Sequence, residues 1–440
     1  MRFKLNIIVL ASIAIFGSCK KEGGVAPTPT PPVVIVPIPT TISISANSGA
    51  KGTSITMTGT EFSSDISQMK VLVNGISATL ISATTTTISF KIPTFSPAPT
   101  VAIPIILQKN GVQIGTAFSF TYLYTQLLKS LNNGTVGFLD GSFATAKIEE
   151  ISGITIDSSG NVYSAQFQNP RVRKFGTDGQ VSTMAGNGTI GSLDGNGGGA
   201  TLKQHDYITS DLVGNIYVAQ SDGVIRKIDP AKNVTTIGNI GGYLQGIKLS
   251  KSGSTLYFHT GDKVGKMPVT GGTPTWITIS AGNGDVDGSL TTSKFFLYGG
   301  FAISDDEKMI YVSDNFNGLN SGNKVKLINL NTNTITTIAG KTGLSGGDGA
   351  ALNVGFKIMG DLLLDNTGGL YITDIFNNAV KYLKNGMVTT ILGGNSGDVD
   401  GSLNNAKVSY PLGLAVNKYG EIFISCSNPS SPKLKKITTE

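Results

Sequence analysis

The sequence predicts an all-β protein in which a β-sandwich is followed by a six-bladed β-propeller that is closed by an N-terminal strand. Three observations predict this. Glycine accounts for 57 of 440 residues and charged residues for only 14%, a composition typical of short strands joined by tight turns. Residues 40–122 alternate between apolar and polar positions in short runs, as half-buried strands do. After residue 150 an apolar-aromatic-apolar strand recurs at spacings of 40 to 60 residues, which is typical of a repeat architecture.

Rare residues and charge exclude several classes of function. The chain has 2 Cys and 2 His, too few for a disulfide framework or for zinc sites that need several histidines. The net charge is +6, but the basic residues are spread along the chain. Because nucleic-acid binding usually needs a concentrated basic face, no nucleic-acid partner is expected.

The first 18 residues have the pattern of a secretory signal. Arg2 and Lys4 precede an apolar run over residues 5–16, which is shorter than the ~20 residues that a membrane-spanning helix needs and fits a signal peptide. The run ends in Phe16-Gly17-Ser18-Cys19, which resembles the lipobox of bacterial lipoproteins, except that Phe16 stands where Leu is most usual. The resemblance implies cleavage before Cys19, lipidation of Cys19 and attachment to a membrane through this anchor.

Residues 19–39 are predicted to form the lipid anchor and a tether. The segment after Cys19 is rich in proline, and such segments favour extended, semi-rigid conformations. We expect it to hold a folded body away from the membrane. The charged residues Lys20-Lys21-Glu22 resemble export signals of surface-exposed lipoproteins in some gram-negative bacteria, which implies an outer-membrane lipoprotein exposed on the cell surface.

Residues 40–122 predict one sandwich domain. Strand-like runs are punctuated by Gly, Asn and Pro at short intervals, as in an immunoglobulin-like fold. The string from Gly52 to Phe62 and the following Val71 to Ala78 resemble the IPT/TIG family of immunoglobulin-like domains. The resemblance implies a spacer or binding module. The segment contains no His and no Cys, so nothing in it points to catalysis.

Residues 123–440 predict six units of four strands. Each unit has an apolar first strand, a Gly turn, an aromatic second strand, a third strand that in most units has a basic centre, and a Thr-rich fourth strand. The sixth unit ends after three strands, whereas an orphan strand over residues 126–131 precedes the first unit. We expect this N-terminal strand to complete the last blade and close the ring, because closure protects sheet edges.

The repeated segments resemble NHL-repeat propellers. The strings that carry the resemblance are Gly153 to Tyr163, Leu363 to Asp374 and Thr183 to Gly195. It covers nearly the whole of residues 123–440 and implies a six-bladed fold, but propellers host many activities, so the fold does not imply a function.

Two recurrent features are expected to share one end of the propeller, because antiparallel connectivity places the loops between blades and the loops between second and third strands together. The first is an Asp-Gly pair between blades: Asp140-Gly141, Asp194-Gly195, Asp287-Gly288, Asp348-Gly349 and Asp400-Gly401. We expect the Asp to bond the backbone two residues on and the Gly to supply a positive φ. The alternative is calcium, with Asp285, Asp287, Asp398 and Asp400 as candidate ligands, although the later acid of an EF-hand is missing. No other cofactor is expected.

The second feature is an aromatic-plus-Asn loop after the second strand. Its candidate ligand-binding residues are Phe167, Asn169, Phe316, Asn317, Phe376 and Asn377. Either each Phe caps its own blade, or the rings stack on sugar faces while the amides bond hydroxyls. Trp276, the single Trp of the chain, is a further candidate, with burial in the third blade as the alternative.

The expected function is a non-catalytic surface lipoprotein that binds an extracellular ligand on the loop-rich face. A glycan of a carbohydrate-uptake system is the first expectation, by analogy of architecture. The alternatives are a scaffold that binds an envelope or surface protein, and a calcium-dependent hydrolase or lactonase of the propeller class. Against an enzyme, the blade-strand acids Asp314 and Asp374 have no Glu partner at matching positions, and no G-x-S-x-G elbow is present.

Overall fold

The computed structural model describes residues 42–93, 102–122, 126–204, 207–282, 284–315 and 323–439. The candidate lipidation site Cys19 and the loop residues Phe316 and Asn317 lie outside these ranges. Regular structure in the described ranges consists of strands and four one-turn 3-10 helices: Ile66–Gln68, Gly197–Gly199, Ala351–Asn353 and Ile375–Asn377. No helix in these ranges has the length and apolar character needed to cross a membrane.

The first folded unit is a two-sheet sandwich. Its strands are β1 Ser43–Ile44, β2 Ser48–Gly49, β3 Ser54–Thr58, β4 Met69–Val73, β5 Ile76–Ser77, β6 Thr79–Ala83, β7 Thr87–Lys91, β8 Ile103–Lys109 and β9 Val112–Tyr122. One sheet has the order β1-β3-β7-β6 and the other β2-β9-β8-β4-β5. Alternate residues such as Ile55, Met57, Phe90 and Phe120 fill the core between the sheets, as period-2 alternation predicts.

The second unit has six sheets arranged as blades. Blade 1 has β12 Ile154–Ile156, β13 Val162–Gln166, β14 Arg171–Phe175 and β15 Gln180–Ala185, with β11 Gly141–Ser142 at its outer edge. Blade 2 has β17 Tyr207–Ser210, β18 Ile216–Ala219, β19 Val224–Ile228 and β20 Asn233–Asn239, with β16 Gly195–Asn196 outermost. Blade 3 has four strands alone, β21 Gly246–Leu249, β22 Thr255–His259, β23 Lys263–Pro268 and β24 Thr275–Ile279.

The remaining blades repeat the five-stranded plan. Blade 4 has β26 Leu297–Ile303, β27 Met309–Asp314, β28 Lys324–Asn329 and β29 Thr334–Ala339, with β25 Gly288–Ser289 outermost. Blade 5 has β31 Met359–Leu364, β32 Leu370–Asp374, β33 Ala379–Lys384 and β34 Met387–Gly393, with β30 Gly349–Ala350 outermost. Blade 6 has β36 Pro411–Val416, β37 Ile422–Cys426, β38 Lys433–Thr439 and β10 Gln126–Ser130, with β35 Gly401–Ser402 outermost.

The ring closes as the sequence predicts. The N-terminal strand β10 pairs antiparallel with β38, the last strand of the chain, and Leu128 faces Ile437 in this register. The inner strands of successive blades contact one another, and β12 of blade 1 contacts β36 of blade 6. The prediction of an all-β chain with a six-bladed propeller closed by its N-terminal strand is confirmed.

Tight turns between the first and second strands explain the string D-x-x-G-N, which occurs at Asp157 to Asn161 and at Asp211 to Asn215. The Asp157 carboxylate accepts hydrogen bonds from the backbone N–H groups of Ser159 and Asn161, from the Asn161 amide and from the Tyr163 hydroxyl. Gly160 takes φ +88°, which a residue without a Cβ adopts at little cost. The turn therefore fixes the hairpin and orients the aromatic residue that follows it.

Strand direction defines two faces of the propeller. We call the end where second and third strands are joined, and where one blade passes to the next, the upper face; the opposite end is the lower face. Gln126 pairs with Thr439, at the end of the third strand of blade 6, so both lie at the lower face. The chain therefore enters and leaves the propeller on the side away from the inter-blade loops.

Candidate functional site

The Asp-Gly residues between blades form a repeated contact that we call the aspartate clasp. In each of five blades the carboxylate accepts a hydrogen bond from a buried cation of the third strand and from a Thr or Ser of the fourth strand. The Asp, cation and hydroxyl residues are Asp140, Arg173 and Thr183; Asp194, Arg226 and Thr236; Asp287, Lys326 and Thr337; Asp348, Lys381 and Thr390; and Asp400, Lys435 and Ser130.

This geometry corrects the expected role of the aspartates. The predicted bond to the backbone two residues on is wrong, because the bonds of the clasp go to residues on two other strands. Thr183, for example, donates both its backbone N–H and its hydroxyl to Asp140. The positive φ predicted for the glycines is found at Gly141, Gly349 and Gly401 but not at Gly195 and Gly288. The clasp therefore ties the connection between blades to the outer strands of the next blade.

The calcium candidates already hold lysine ammonium groups. Lys326 Nζ lies 2.9 Å from Asp285 Oδ1 and 2.8 Å from Asp287 Oδ1, and its side chain is fully buried. Burial alone would raise the pKa of Asp287, but hydrogen bonds from Lys326 and Thr337 outweigh it, and the pKa lies below its ordinary value. A carboxylate pair neutralised in this way is a poor calcium ligand set.

The second candidate pair repeats this arrangement. Lys435 Nζ lies 2.5 Å from Asp398 Oδ1 and 2.7 Å from Asp400 Oδ1. Within the described ranges, no group of three or more His, Cys, Asp or Glu side chains could hold a metal ion. The donor chemistry of both pairs therefore fits a structural salt bridge better than a calcium site.

Blade 3 replaces the clasp with aromatic packing. Gly265 pairs with Trp276, at the positions where other blades have the buried cation and the Thr or Ser. The Trp276 ring lies edge-on to Phe258 at 5.6 Å between centroids, and a Cβ on Gly265 would lie within 3 Å of both rings. Trp276 is partly buried in this packing, on the outermost strand of blade 3.

The upper face over blades 3 to 6 carries exposed aromatic side chains. Tyr243 precedes β21, Phe296 directly precedes β26 and Tyr298 is the second residue of that strand. Phe376 follows β32 and Tyr410 directly precedes β36. Each of the five is 37–44% exposed. Their sequence positions place all of them where blades are joined or where second and third strands are joined. Only Phe376 was expected from the sequence.

Phe376 and Tyr410 form the best-defined part of this aromatic face. Their rings meet edge to face with centroids 5.9 Å apart. Tyr410 has φ +51°, an unfavourable backbone conformation for a residue with a bulky side chain, and its N–H donates to Asn378 Oδ1. Strain of this kind is often retained at functional sites.

Hydrogen bonds of the Asn377 side chain hold this loop in place. Its amide donates to the Asp374 carboxylate at 2.7 Å and to the Ser345 carbonyl. Burial raises the pKa of Asp374 to about 6, although Asn377 and the Lys357 N–H both stabilise its ionised form. Asn377 is therefore engaged in holding the Phe376 loop.

The corresponding loop of blade 1 is less open. Phe167 is partly buried, and Asn169 donates to Glu149 and accepts from Arg171. The structure thus brings Phe376 into contact with the exposed Tyr410 ring, but it places Phe167 and Asn169 in a more polar surface.

The two buried reactive side chains have shifted pKa values. Burial lowers the pKa of His259 to about 4, and its Nε2 lies 2.7 Å from the Gly299 carbonyl oxygen. Burial raises the pKa of the Cys426 thiol to about 12. Near neutral pH both groups are therefore uncharged and out of contact with solvent.

Comparison with known families identifies the first domain. Residues 37–122 match the family model of the IPT/TIG domain. A curated relative, Protein SUPPRESSOR OF QUENCHING 1, chloroplastic, of Arabidopsis thaliana, is 25% identical over 320 residues. The matched stretch covers 68% of this chain and 26% of the plant protein, so the chain spans about a quarter of the length of this relative.

Several solved structures share the architecture over nearly the whole chain. A Bacteroides thetaiotaomicron protein of unknown function has a TM-score of 0.66 at 20% identity, and the match covers 91% of this chain and 98% of that one. Auxiliary nutrient binding proteins of Bacteroides thetaiotaomicron and Bacteroides ovatus give TM-scores of 0.56 and 0.58 at 17% identity, covering 90% of this chain and 97% of each. At such identities the likeness establishes the fold.

Proposed function

We propose that this protein is a non-catalytic surface lipoprotein that captures an extracellular ligand, in the first instance a glycan, on the upper face of its propeller. The observation that carries the proposal is the aromatic face: Tyr243, Phe296, Tyr298, Phe376 and Tyr410, all substantially exposed. Phe376 and Tyr410 are in ring contact, and exposed apolar surface of this kind typically marks an interaction site. Their flat rings suit the apolar faces of sugar rings, and the tyrosine hydroxyls suit sugar hydroxyls.

The direction of the chain supports this orientation. The N-terminal strand β10 begins at the lower face, where Gln126 pairs with Thr439. If Cys19 is lipidated and the outer membrane holds the anchor, the membrane tether reaches the propeller from the side opposite to the aromatic face. The aromatic face then points toward the medium, where an extracellular ligand would arrive.

The state of the ionisable groups supports a binding role over catalysis. The paired aspartates that would serve a calcium-dependent hydrolase or lactonase are neutralised by Lys326 and Lys435. His259 is buried and uncharged near neutral pH, which leaves it poorly placed as a general base. The structural likeness to nutrient-binding proteins agrees with ligand capture as the general role.

The proposal is tested by glycan pull-down. Full-length protein purified in detergent is incubated with soluble polysaccharides and oligosaccharides, and retention is measured down to millimolar affinity. Retention of at least one glycan class supports the proposal, whereas no retention of any glycan contradicts the glycan assignment. In parallel, bound calcium in elemental analysis together with hydrolase activity abolished by EDTA would favour the enzyme alternative.

A protein-binding scaffold is the second candidate, and one observation favours it. The residue before the Asp of the clasp is an exposed aliphatic residue in four blades: Leu139, Leu193, Val286 and Val399, each 46–63% exposed. These side chains lie in the inter-blade loops and give that end an apolar rim. Cross-linking in intact cells followed by purification would identify an envelope partner, and loss of that partner on deletion of the propeller would support this alternative.

A further inference from the structure

A pocket of about 500 Å³ lies at the outer edge of blade 1, where it faces blade 2. Its walls include the Phe138 ring, the Arg171 guanidinium, Asn187, Asn196 and Lys232. None of these five residues belongs to the aromatic face over blades 3 to 6. A volume of this size is within the range of small-molecule sites.

In blades 4 and 6 an ion pair occupies the position that corresponds to Phe138 and Arg171 in blade 1. Two residues before the Asp of the clasp, these blades have Asp285 and Asp398, which pair with Lys324 and Lys433 at the start of the third strand. The equivalence is supported by isolated bridges at matching places, Leu139 with Lys147, Val286 with Lys294 and Val399 with Lys407. Two of the blades therefore place a carboxylate against a cation at this position.

In blade 1 an aromatic ring replaces the carboxylate. Phe138 stands at the position of Asp285, and the Arg171 guanidinium carbon lies 3.7 Å from its ring centroid. The Phe138 side chain is 45% exposed, so the ring contacts the guanidinium while much of its surface remains accessible. Blade 1 therefore has an aromatic ring in the wall of the pocket where blades 4 and 6 have a paired carboxylate.

The charge around the pocket favours an anion. Arg171 and Lys232 line the pocket and Arg173 is buried behind Phe138, whereas Asp140 and Glu149 bring two negative charges, so one positive charge is in excess. The Arg171 amines donate to Asn169 Oδ1 and to the Asn187 carbonyl, which holds the guanidinium at the wall of the pocket. The Asp140 carboxylate is engaged by Arg173 and by Thr183, which reduces its repulsion of an incoming anion. Lys232 Nζ makes one bond, to the Thr183 carbonyl, and an ammonium has three protons to donate.

We propose that this pocket binds a carboxylate-bearing sugar ring, such as a uronic acid unit. The apolar face of the ring packs on Phe138, and the carboxylate lies toward Arg171 and Lys232. The pocket is separate from the aromatic face, so the proposal stands independently of the ligand class assigned to that face.

Isothermal titration with sodium glucuronate, glucose and acetate tests the proposal on full-length protein in detergent. Phe138→Asp restores the residue type of blades 4 and 6, which should close the pocket by pairing with Arg171 while preserving the fold. Phe138→Leu keeps an apolar side chain without the aromatic face. Leu139→Ala, at the exposed neighbouring position, is the matched control.

Wild-type protein and L139A are expected to bind glucuronate equally, and F138D and F138L to bind it about tenfold more weakly. Glucose and acetate are each expected to bind at least tenfold more weakly than glucuronate, because each lacks one recognised group. Equal glucuronate affinity in wild-type protein and F138L would overturn the proposal, as would equal affinity for glucose or for acetate. Phe376→Ala should leave glucuronate affinity unchanged, which separates this pocket from the aromatic face.

Discussion

Removing the Asp348 carboxylate should destabilise the propeller more than removing its counterpart Asp287. In blade 5, Asp348 is the one carboxylate among the described residues that bonds Lys381 Nζ, at 3.2 Å, and the Lys381 side chain is only 4% exposed; Asp374 interacts with Lys381 electrostatically without a hydrogen bond. In blade 4, Lys326 retains Asp285 at 2.9 Å when Asp287 is removed. The two substitutions therefore differ in whether they leave a buried ammonium without a hydrogen-bonded carboxylate.

The magnitude follows from this difference. Breaking a fully buried ion pair costs about 3–5 kcal/mol, but Asp348 is itself about half exposed, which lowers the expected cost. We expect Asp348→Ala to reduce the free energy of unfolding by about 2–3 kcal/mol. Because Asp285 still neutralises Lys326, we expect Asp287→Ala to cost about 1 kcal/mol.

The single tryptophan makes the assay specific. Trp276 lies in blade 3, so its fluorescence on excitation at long wavelength reports unfolding of the propeller without a contribution from the sandwich. Urea titrations of wild-type protein, D348A and D287A give the three midpoints. Equal losses for the two variants, or a larger loss for D287A, would refute the argument that the remaining carboxylate determines the cost.

Three further predictions concern buried positions. Gly265→Ala should destabilise the propeller by about 1–3 kcal/mol, because its Cβ would lie 2.7 Å from Phe258 and 2.9 Å from Trp276; an unchanged urea midpoint would contradict the packing. Burial raises the pKa of Asp374 from 3.8 to about 6, so the native state binds the Asp374 proton more tightly than the unfolded chain does. The stability that this protonated carboxyl contributes should therefore be lost as pH rises from 3.8 through 6. Asp374→Asn should remove that loss in urea titrations across this range, and an identical pH profile would contradict it. The Cys426 thiol is buried, with its pKa raised to about 12, so it should react with a thiol reagent at pH 8 only after unfolding; rapid reaction of the native protein would contradict its burial.

The fold was largely predictable because its signals are local. The D-x-x-G-N turns stand next to the aromatic strands that they orient, as Asp157 and Tyr163 show. The closing strand could be inferred because the sixth unit lacked one strand and an unassigned strand preceded the first. Leu128 pairs with Ile437, and these residues stand near the first and last positions of the propeller sequence. The pairing was nevertheless predictable, because counting strands in the repeat left one place for the N-terminal strand.

The contacts of the clasp were not predictable in the same way. Asp140 bonds Thr183 and Arg173, and the sequence separation gives no sign of these contacts without the register of the outer strands. The basic centre of the third strand was visible in the sequence, but its carboxylate partner was not. The sequence therefore predicted a local turn bond for each of these aspartates, whereas their side chains bond residues that are distant in sequence.

The aromatic face was only partly visible from the sequence. Phe376 belongs to a repeated loop pattern, whereas Tyr243, Phe296, Tyr298 and Tyr410 lie in connections of different length that share no repeated string. An available signal was an aromatic residue within a few positions of the start of an inner strand, as with Tyr410 before β36.

A glycan array probed with wild-type protein and two matched variants tests the central claim most directly. Phe376→Ala removes an exposed ring from the aromatic face, whereas Tyr419→Ala removes an exposed ring from a turn between first and second strands, at the lower face. We predict that wild-type protein and Y419A retain the same glycans and that F376A binds them about tenfold more weakly. Retention of no glycan by wild-type protein, or equal retention by F376A, would contradict the assignment of glycan binding to the aromatic face.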